Sequence, residues 1–392
     1  MDLLLRNIRW NTGMQLVSGD VRIRKGMIVE IAKNLPSKSK EMVGDFHDNF
    51  LYPGLINAHD HLEMNLYPKL GSPPYGNYVE WAKDIYHPAQ SPLREIEKIN
   101  IESRLLWGGL KNLIAGATTV IHHNPWRRLL KKRQFPVKVP KISWAHSLAF
   151  EKAPSKKFPL LEGAPFVIHA GEGTDQFAFS EVATLDKLGL LKQNTVLIHA
   201  IALNDQSIKA ITNNHTAVVW CPASNFFMFR KTSPIQKLKK RISVALGSDS
   251  TLTGSPTLLH EMQVAQETNL VDAKEIFEMV TRIPAQIFNL PSPLISPGQP
   301  ADLFIAPVKH EDYFKNVLEI HPADLSLVLT GGIPRLKNVE AEERWPTLKN
   351  TLKIQGELKF CEINVSSLIK DIERKVSTEI LEKNVLWNLI EI

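Results

Sequence analysis

Residues 51–62 read LYPGLINAHDHL, an apolar run that ends on two histidines one residue apart, His59 and His61. In an extended strand, residues i and i+2 leave the same face, so at the end of a buried strand both imidazoles enter one small volume. A metal ion would hold such a pair. Neighbouring histidines are equally at home on a surface or hydrogen-bonded in a core. The pair alone decides nothing; the rest of the chain must.

Downstream, short apolar runs recur between helical stretches, and each ends on polar or titratable residues: TTVIHH (118–123), FVIHAGE (166–172), TVLIHA (195–200), AVVWCPAS (217–224) and SVALGSDS (243–250). This alternation predicts an α/β protein with a parallel sheet and helical crossovers, here a TIM-like (β/α)8 barrel over residues 51–297. In such a barrel the C-terminal strand ends line the active site. The stretch KVPKISWAHSLA (138–149) supplies one further strand and the end of another. The interval from His123 to His169 is too short for two complete βα units, so the barrel is expected to be compressed between strands 2 and 5.

Ahead of the barrel, LLLRNIRW and DVRIRKGMIVEIA alternate in the manner of strands, with Gly26 at a turn between two of them. Beyond it, SPGQPADLFIA and LSLVLTGGIPRL return to loop and strand. Residues 1–50 and 298–345 are therefore expected to form one small β-sandwich domain from both chain ends. Residues 346–392 read as an extension ending in a helix. There Leu368, Ile369, Ile372, Val376 and Ile380 recur with helical period and must be buried, on the barrel or on a second subunit of a homo-oligomer.

Charged residues at 22% and apolar residues at 43% exclude a disordered, collagenous or membrane class, and no apolar run approaches a membrane span. The start, MDLLLRNIRWNTG, is broken by Arg6 and Arg9 and has no small-residue cleavage site, so no export signal is read there and a cytoplasmic location is expected. Cys221 and Cys361 stand far apart, without partners at disulfide-framework or zinc-ribbon spacing, which suits a reducing compartment. The charge of +6 is concentrated partly in RRLLKKRQ (127–134) and KLKKR (237–241). Neither run carries interleaved stacking aromatics, so both read as solvated faces and nucleic acid is not expected as a partner.

If the strands close as predicted, His59, His61, His169, His199 and Asp249 meet at one barrel mouth. Imidazoles with a carboxylate suit zinc, and iron or manganese would also accept them. The elements PGLINAHDH, GATTV, HAGE, LIHA, CPASN, GSDS and GQPADLFIA, in this order, resemble the amidohydrolase superfamily. Within it they are similar to the mononuclear aminohydrolase branch of cytosine, guanine and S-adenosylhomocysteine deaminases and related chlorohydrolases. The resemblance implies one divalent metal ion held by His59, His61, His169 and Asp249, with Glu172 and His199 as further catalytic groups and Asp249 also taking up a proton. It implies hydrolytic deamination of an exocyclic amine on a purine, pyrimidine or pterin type of heterocycle by a metal-activated water. The alternatives are hydrolysis of a cyclic amide, displacement of another leaving group at the same site, or a degenerate protein that binds or scaffolds.

HAGE stands where many relatives of this branch have His-Leu-Ala-Glu. Lys138 and Lys141 fall near the position of the bridging lysine of two-metal relatives, but neither sits at a strand end, so a single ion is expected. Around the mouth, Glu63, Asn65, Trp81, His122, His123, Trp126 and Asn225 are the candidate contacts for a small-molecule substrate.

Overall fold

The N-terminal alternation becomes five strands, β1 (Asp2–Asn11), β2 (Leu16–Arg24), β3 (Met27–Ala32), β4 (Met42–Asp45) and β5 (Asn49–Pro53). The turn between β2 and β3 places Lys25 and Gly26 at φ 50° and 82°. That is the left-handed pair a two-residue hairpin requires. The structure, a computed structural model, describes residues 2–159, 161, 163–338 and 348–391. The expected boundary at residues 345 and 346 lies outside them.

Seven parallel strands follow: β6 (Leu55–Asp60), β7 (Ala117–His122), β8 (Ser143–Ser147), β9 (Phe166–Ala170), β10 (Thr195–His199), β11 (Ala217–Trp220) and β12 (Val244–Leu246). β6 pairs with β7, and β8 to β12 form a sheet in sequence order. The link between the two is one parallel bridge, Thr119 to Lys138, with hydrogen bonds from Lys138 N–H to the Thr118 carbonyl (2.8 Å) and from Val120 N–H to the Lys138 carbonyl (2.9 Å). On the far side no ladder among the described residues joins β12 to β6; Asp249 N–H donates to the His59 carbonyl at 3.1 Å instead. A Cβ on Gly247 would lie 2.6 Å from that of His59, so this close approach needs the glycine. The TIM-like barrel is compressed where expected: its third strand is reduced to a single bridge.

The strands read as unbroken apolar runs because both faces are buried. Ile121, Val167, Val196, Ile198, Val219 and Ala245 fill the interior, while Phe166, Ile168, Leu197, Val218, Trp220 and Leu246 face the helical layer. Helices Ile101–Leu113, Gln176–Lys187, Asp205–Asn213, Leu258–Glu267 and Ala273–Met279 start at Asn100, Asp175, Asn204, Thr257 and Asp272, each of whose side chains accepts from a first-turn N–H. Such caps stabilise by about 0.5–2 kcal/mol each.

The C-terminal portion contributes β13 (Leu303–Pro307), β14 (Leu327–Thr330), β15 (Ile333–Asn338), β16 (Asn350–Ile354), β17 (Glu357–Cys361) and β18 (Ile390–Glu391). These join the N-terminal strands in one mixed sheet of order β18-β16-β17-β15-β14-β13-β5-β1-β2-β3, with β4 beside β1. The sheet curls back on itself: Ile28 N–H donates to Gln299 and Ala301 N–H to Gly26, just ahead of β13. One face thereby encloses its own core of Leu3, Leu5, Ile8, Trp10, Val21, Ile23, Leu303, Ile305, Leu327 and Leu329.

Two expectations for the tail are corrected in detail. The extension ends in the short strand β18, paired to β16, and not in a helix. Its helix, Val365–Glu373, buries Val365, Leu368, Ile369 and Ile372 within this chain, packing on β16 and on helix Ile101–Leu113. Ile380 is only half-buried, and Leu381 and Leu386 continue the buried face in its place.

Candidate metal and active site

Strand parity aims the side chains. His169 lies two residues past inward-facing Val167, and Asp249 lies four past Ala245, so both continue into the mouth. Val196 and Ile198 face in, which would turn His199 out; its left-handed backbone, φ 69°, brings the imidazole back. β6 loses its regular pairing between Asn57 and Asp60, where His59 and His61 enter the site. Asp249 is also left-handed, at φ 52°. Non-glycine residues held there store strain that neighbours must offset, and such residues cluster at functional sites.

The donor atoms face one another closely. His59 Nε2 is 3.3 Å from His169 Nε2 and 3.8 Å from Asp249 Oδ1. His61 Nε2 is 4.0 Å from Asp249 Oδ1. His199 Nε2 is 3.5 Å from Glu172 Oε1 and 4.0 Å from Asp249 Oδ2. All six residues are buried.

Surrounding groups orient them. His169 Nδ1 bonds the His146 carbonyl at 2.8 Å, leaving Nε2 for the site. His199 Nδ1 meets Asn225 Oδ1 at 2.8 Å, and the Asn225 amide donates to Thr232. Asn225 thus presents its oxygen, which places the ring proton on Nδ1 and the lone pair of the neutral ring on Nε2. Asp249 Oδ1 accepts from Ser250 N–H at 2.7 Å; Oδ2 accepts from the Ser224 and Thr253 hydroxyls at 2.9 and 3.0 Å.

Burial and the neighbouring imidazoles push His59 and His169 well below the ordinary imidazole range, so both are neutral. Burial also lowers His199, against the pull of Asp249. Burial alone would raise Asp249, but His61, His199 and its hydrogen bonds hold it below the usual carboxylate range. Glu172 goes the other way: burial, then Asp249 and Glu181, carry it well above that range and keep it protonated.

These residues fit a metal. Neutral imidazoles and an ionised carboxylate are the forms that ligate, and a tetrahedral ion with bonds of about 2.0–2.1 Å needs donors about 3.3 Å apart, the His59–His169 separation, while Asp249 Oδ1 stands wider, 3.8 Å from His59 and 4.0 Å from His61. His59, His123 and His169 form one group with metal-ligating spacing, and His59, His199 and Asp249 another. His59 is common to both; of the expected ligands His169 and Asp249 each enter one group and His61 enters neither, while His123 stands in the first.

Beside the cluster lies a cavity of about 760 Å³ with mostly apolar walls. Glu63 and Trp81, of the expected substrate contacts, line it, together with His61, His169, Glu172, His199 and Asp249. Asn65, His122, His123, Trp126 and Asn225 do not, and each is otherwise engaged. Asn65 donates to Asp60 and accepts from Thr251 N–H. His122 accepts from Leu62 N–H. His123 bonds the Ala145 carbonyl and stacks on His169, with centroids 4.4 Å apart. The Trp126 indole donates to the Val139 carbonyl, and Asn225 holds His199.

The cavity walls add further residues. Arg104 donates to the Tyr67 hydroxyl at 3.2 Å, and its Nε is buried without a partner. Tyr78 donates to Glu181 at 2.8 Å. Arg104 stands on helix Ile101–Leu113, and no local motif signals it.

The model of the amidohydrolase family matches residues 162–327. The chain is 24% identical to a 5-methylthioadenosine/S-adenosylhomocysteine deaminase of Thermococcus sibiricus, over 78% of this chain and 85% of that protein. It is likewise 24% identical to a 5'-deoxyadenosine deaminase of Methanothermobacter thermautotrophicus, over 83% and 90%. Its fold superposes on a zinc-bound adenosine deaminase from Xanthomonas campestris with a TM-score of 0.73 and 16% identity, over 95% of this chain and 97% of that one. The compressed barrel, the histidine–aspartate cluster at its mouth and the matching segment, residues 162–327, agree in their likeness to the amidohydrolase family.

Proposed function

We propose that this protein is a metal-dependent aminohydrolase that removes the exocyclic amine of an adenine-type heterocycle, with one divalent ion, zinc, held by His59, His61, His169 and Asp249. The observation that carries the reading is Glu172: a buried carboxyl, held protonated, 3.5 Å from His199 and beside the clustered donors on the wall of a cavity. A group poised as an acid there suits delivery of a proton to a ring nitrogen. The relatives named above as deaminases of adenosine-derived compounds support it. Lys138 is tied to Asp302 at 2.6 Å on the exposed side of its bridge, away from the cluster, so it supplies no bridge for a second ion.

When bound, the ion lowers the pKa of water from about 15.7 toward about 7. Neutral His199 accepts a hydrogen bond from the attacking water at Nε2. Having taken its proton, the ring donates from Nε2 to the oxygen as charge develops on it. The Asp249 carboxylate, whose Oδ2 lies 4.0 Å from His199 Nε2, takes up the second water proton. Glu172 protonates the ring nitrogen, takes the proton held by His199 across 3.5 Å and passes it to the amine, which leaves as ammonia; the proton left on Asp249 then restores Glu172. Trp81, fixed by its indole hydrogen bond to the Leu70 carbonyl at 3.0 Å, and Met228 give the cavity apolar surfaces for a planar ring.

The test is ammonia release from 5'-methylthioadenosine, S-adenosylhomocysteine, 5'-deoxyadenosine, adenosine and guanine, using enzyme of measured metal content. Ammonia stoichiometric with product on an adenine compound is the expected result. Product without ammonia would reassign the site to another hydrolysis, and no turnover on the whole panel would reject the reading.

A further inference from the structure

Behind the metal cluster, on the side away from the cavity, lies a charged network that the mechanism does not use. Lys111, on helix Ile101–Leu113, has no exposed surface, and neither does Asp60, the residue between His59 and His61. Lys111 Nζ is 3.2 Å from Asp60 Oδ2 and also donates to the backbone carbonyl of Asp249. Asp60 is fully engaged on this side: Asn112 donates to Oδ2 at 2.8 Å and Asn65 to Oδ1 at 2.9 Å. Asn57 bridges Asn112 and Ser248, both at 2.8 Å. The helix reaches this depth because residue 108 is glycine; a Cβ there would sit 2.1 Å from the Leu62 carbonyl oxygen.

Lys111 therefore touches two segments that bring donors to the site, the His59–His61 turn through Asp60 and the Asp249 loop through its main chain. The second contact falls on a left-handed residue, φ 52°, whose carbonyl also accepts from Ser248 Oγ at 3.0 Å. A buried lysine is costly unless paired. Here its ammonium group spans two loops that no β-ladder among the described residues connects.

We infer that Lys111 is a positioning residue: its ion pair with Asp60 and its hydrogen bond to the Asp249 carbonyl hold Asp249 and the His59–His61 turn at metal-ligating separation, and so set metal affinity. The inference rests on the metal site proposed above and goes beyond it, since Lys111 touches neither the ion nor the substrate. Groups that orient metal ligands typically cost 10–100-fold in metal affinity or activity when removed.

The experiment measures the zinc dissociation constant by chelator competition, together with kcat, KM and apo-protein Tm, for wild type, Lys111→Met, Asp60→Asn and the double variant. Lys111→Met is expected to weaken zinc roughly 10–100-fold and to lower zinc-saturated kcat with little change in KM. The double variant, which relieves the unpaired carboxylate, should recover Tm but not zinc affinity. Recovery of both, or wild-type zinc binding in a Lys111→Met protein of lower Tm, would show that the pair serves stability alone and overturn the inference. Should Lys111→Met not fold, the double variant decides on the same readout. Wild-type protein that binds no divalent ion would instead overturn the metal reading, and this inference with it.

Discussion

His169 and Glu172 stand three residues apart at the end of one strand, and the structure gives them opposite protonation. Burial among imidazoles keeps His169 neutral, and burial near Asp249 keeps Glu172 protonated. Their replacement should separate metal binding from chemistry. Glu172→Gln keeps shape and hydrogen-bonding reach but cannot carry the proton, so zinc content should stay near wild type while kcat falls roughly 10²–10⁴-fold. His169→Ala should lose the zinc as well; elemental analysis beside steady-state kinetics distinguishes the two. Near-normal turnover by Glu172→Gln would remove it from the proton path. Asn225→Ala frees the His199 ring to rotate and change tautomer. It is expected to lower kcat about 10–100-fold with metal content unchanged, and unaltered kcat would show that the ring is oriented by other means.

Among the elements, the C-terminal tail couples most directly to the site. Asn384, buried between the short helix Thr378–Leu381 and β18, donates to the carbonyls of Asn65 (3.1 Å) and Tyr67 (2.8 Å) and to Thr251 Oγ1 (3.3 Å). Its own oxygen accepts from Leu386 and Trp387 N–H. Both the segment after His61 and the loop after Asp249 are thus tied to the chain end. Asn384→Ala leaves several buried partners unsatisfied, at about 1–3 kcal/mol each, and should lower Tm and raise KM. Thermal unfolding and kinetics on one preparation check both, and a variant equal to wild type in each would uncouple the tail from the site. Removing residues from 365 onward should do more, exposing the face of Leu368, Ile369 and Ile372 that covers helix Ile101–Leu113. Light scattering is expected to show aggregation.

At the level of the whole molecule, stability should depend on pH through a buried carboxyl that does not line the cavity. Glu261 is fully buried in helix Leu258–Glu267 and accepts from Ala223 N–H at 3.0 Å, and burial pushes its pKa from 4.5 up to about 8. The folded state therefore binds this proton more tightly than the unfolded chain. Its stabilising effect is complete below the unfolded value and is lost as pH rises through about 8. Glu261→Gln, which keeps the acceptor and cannot ionise, should leave Tm unchanged near pH 5 and raise it at pH 9 by a few degrees. An equal Tm difference at both pH values would contradict the shift.

The barrel and most of its mouth were legible in the sequence because strand parity is local. An apolar run buried on both faces, ending in a histidine or aspartate, states which element the residue belongs to and at which end. Position at strand ends gathered His59, His61, His169, His199 and Asp249, although parity alone would turn His199 outward; Glu172 came with the family resemblance, and the compressed stretch after β7 was anticipated from its length alone. Such reasoning could not distinguish His123, stacked behind His169, from a residue lining the cavity, since both sit at strand ends and only the distance between strands separates them. Nor could it find β18, whose two residues are a strand only because β16 lies beside them. Lys111 sits within LLWGGLKNLIAG, where one cation in an apolar helix reads as a solvated position. Its complete burial was decided by tertiary structure, because Asp60 and the Asp249 carbonyl, distant in the chain, close around it and replace the water its charge would otherwise require.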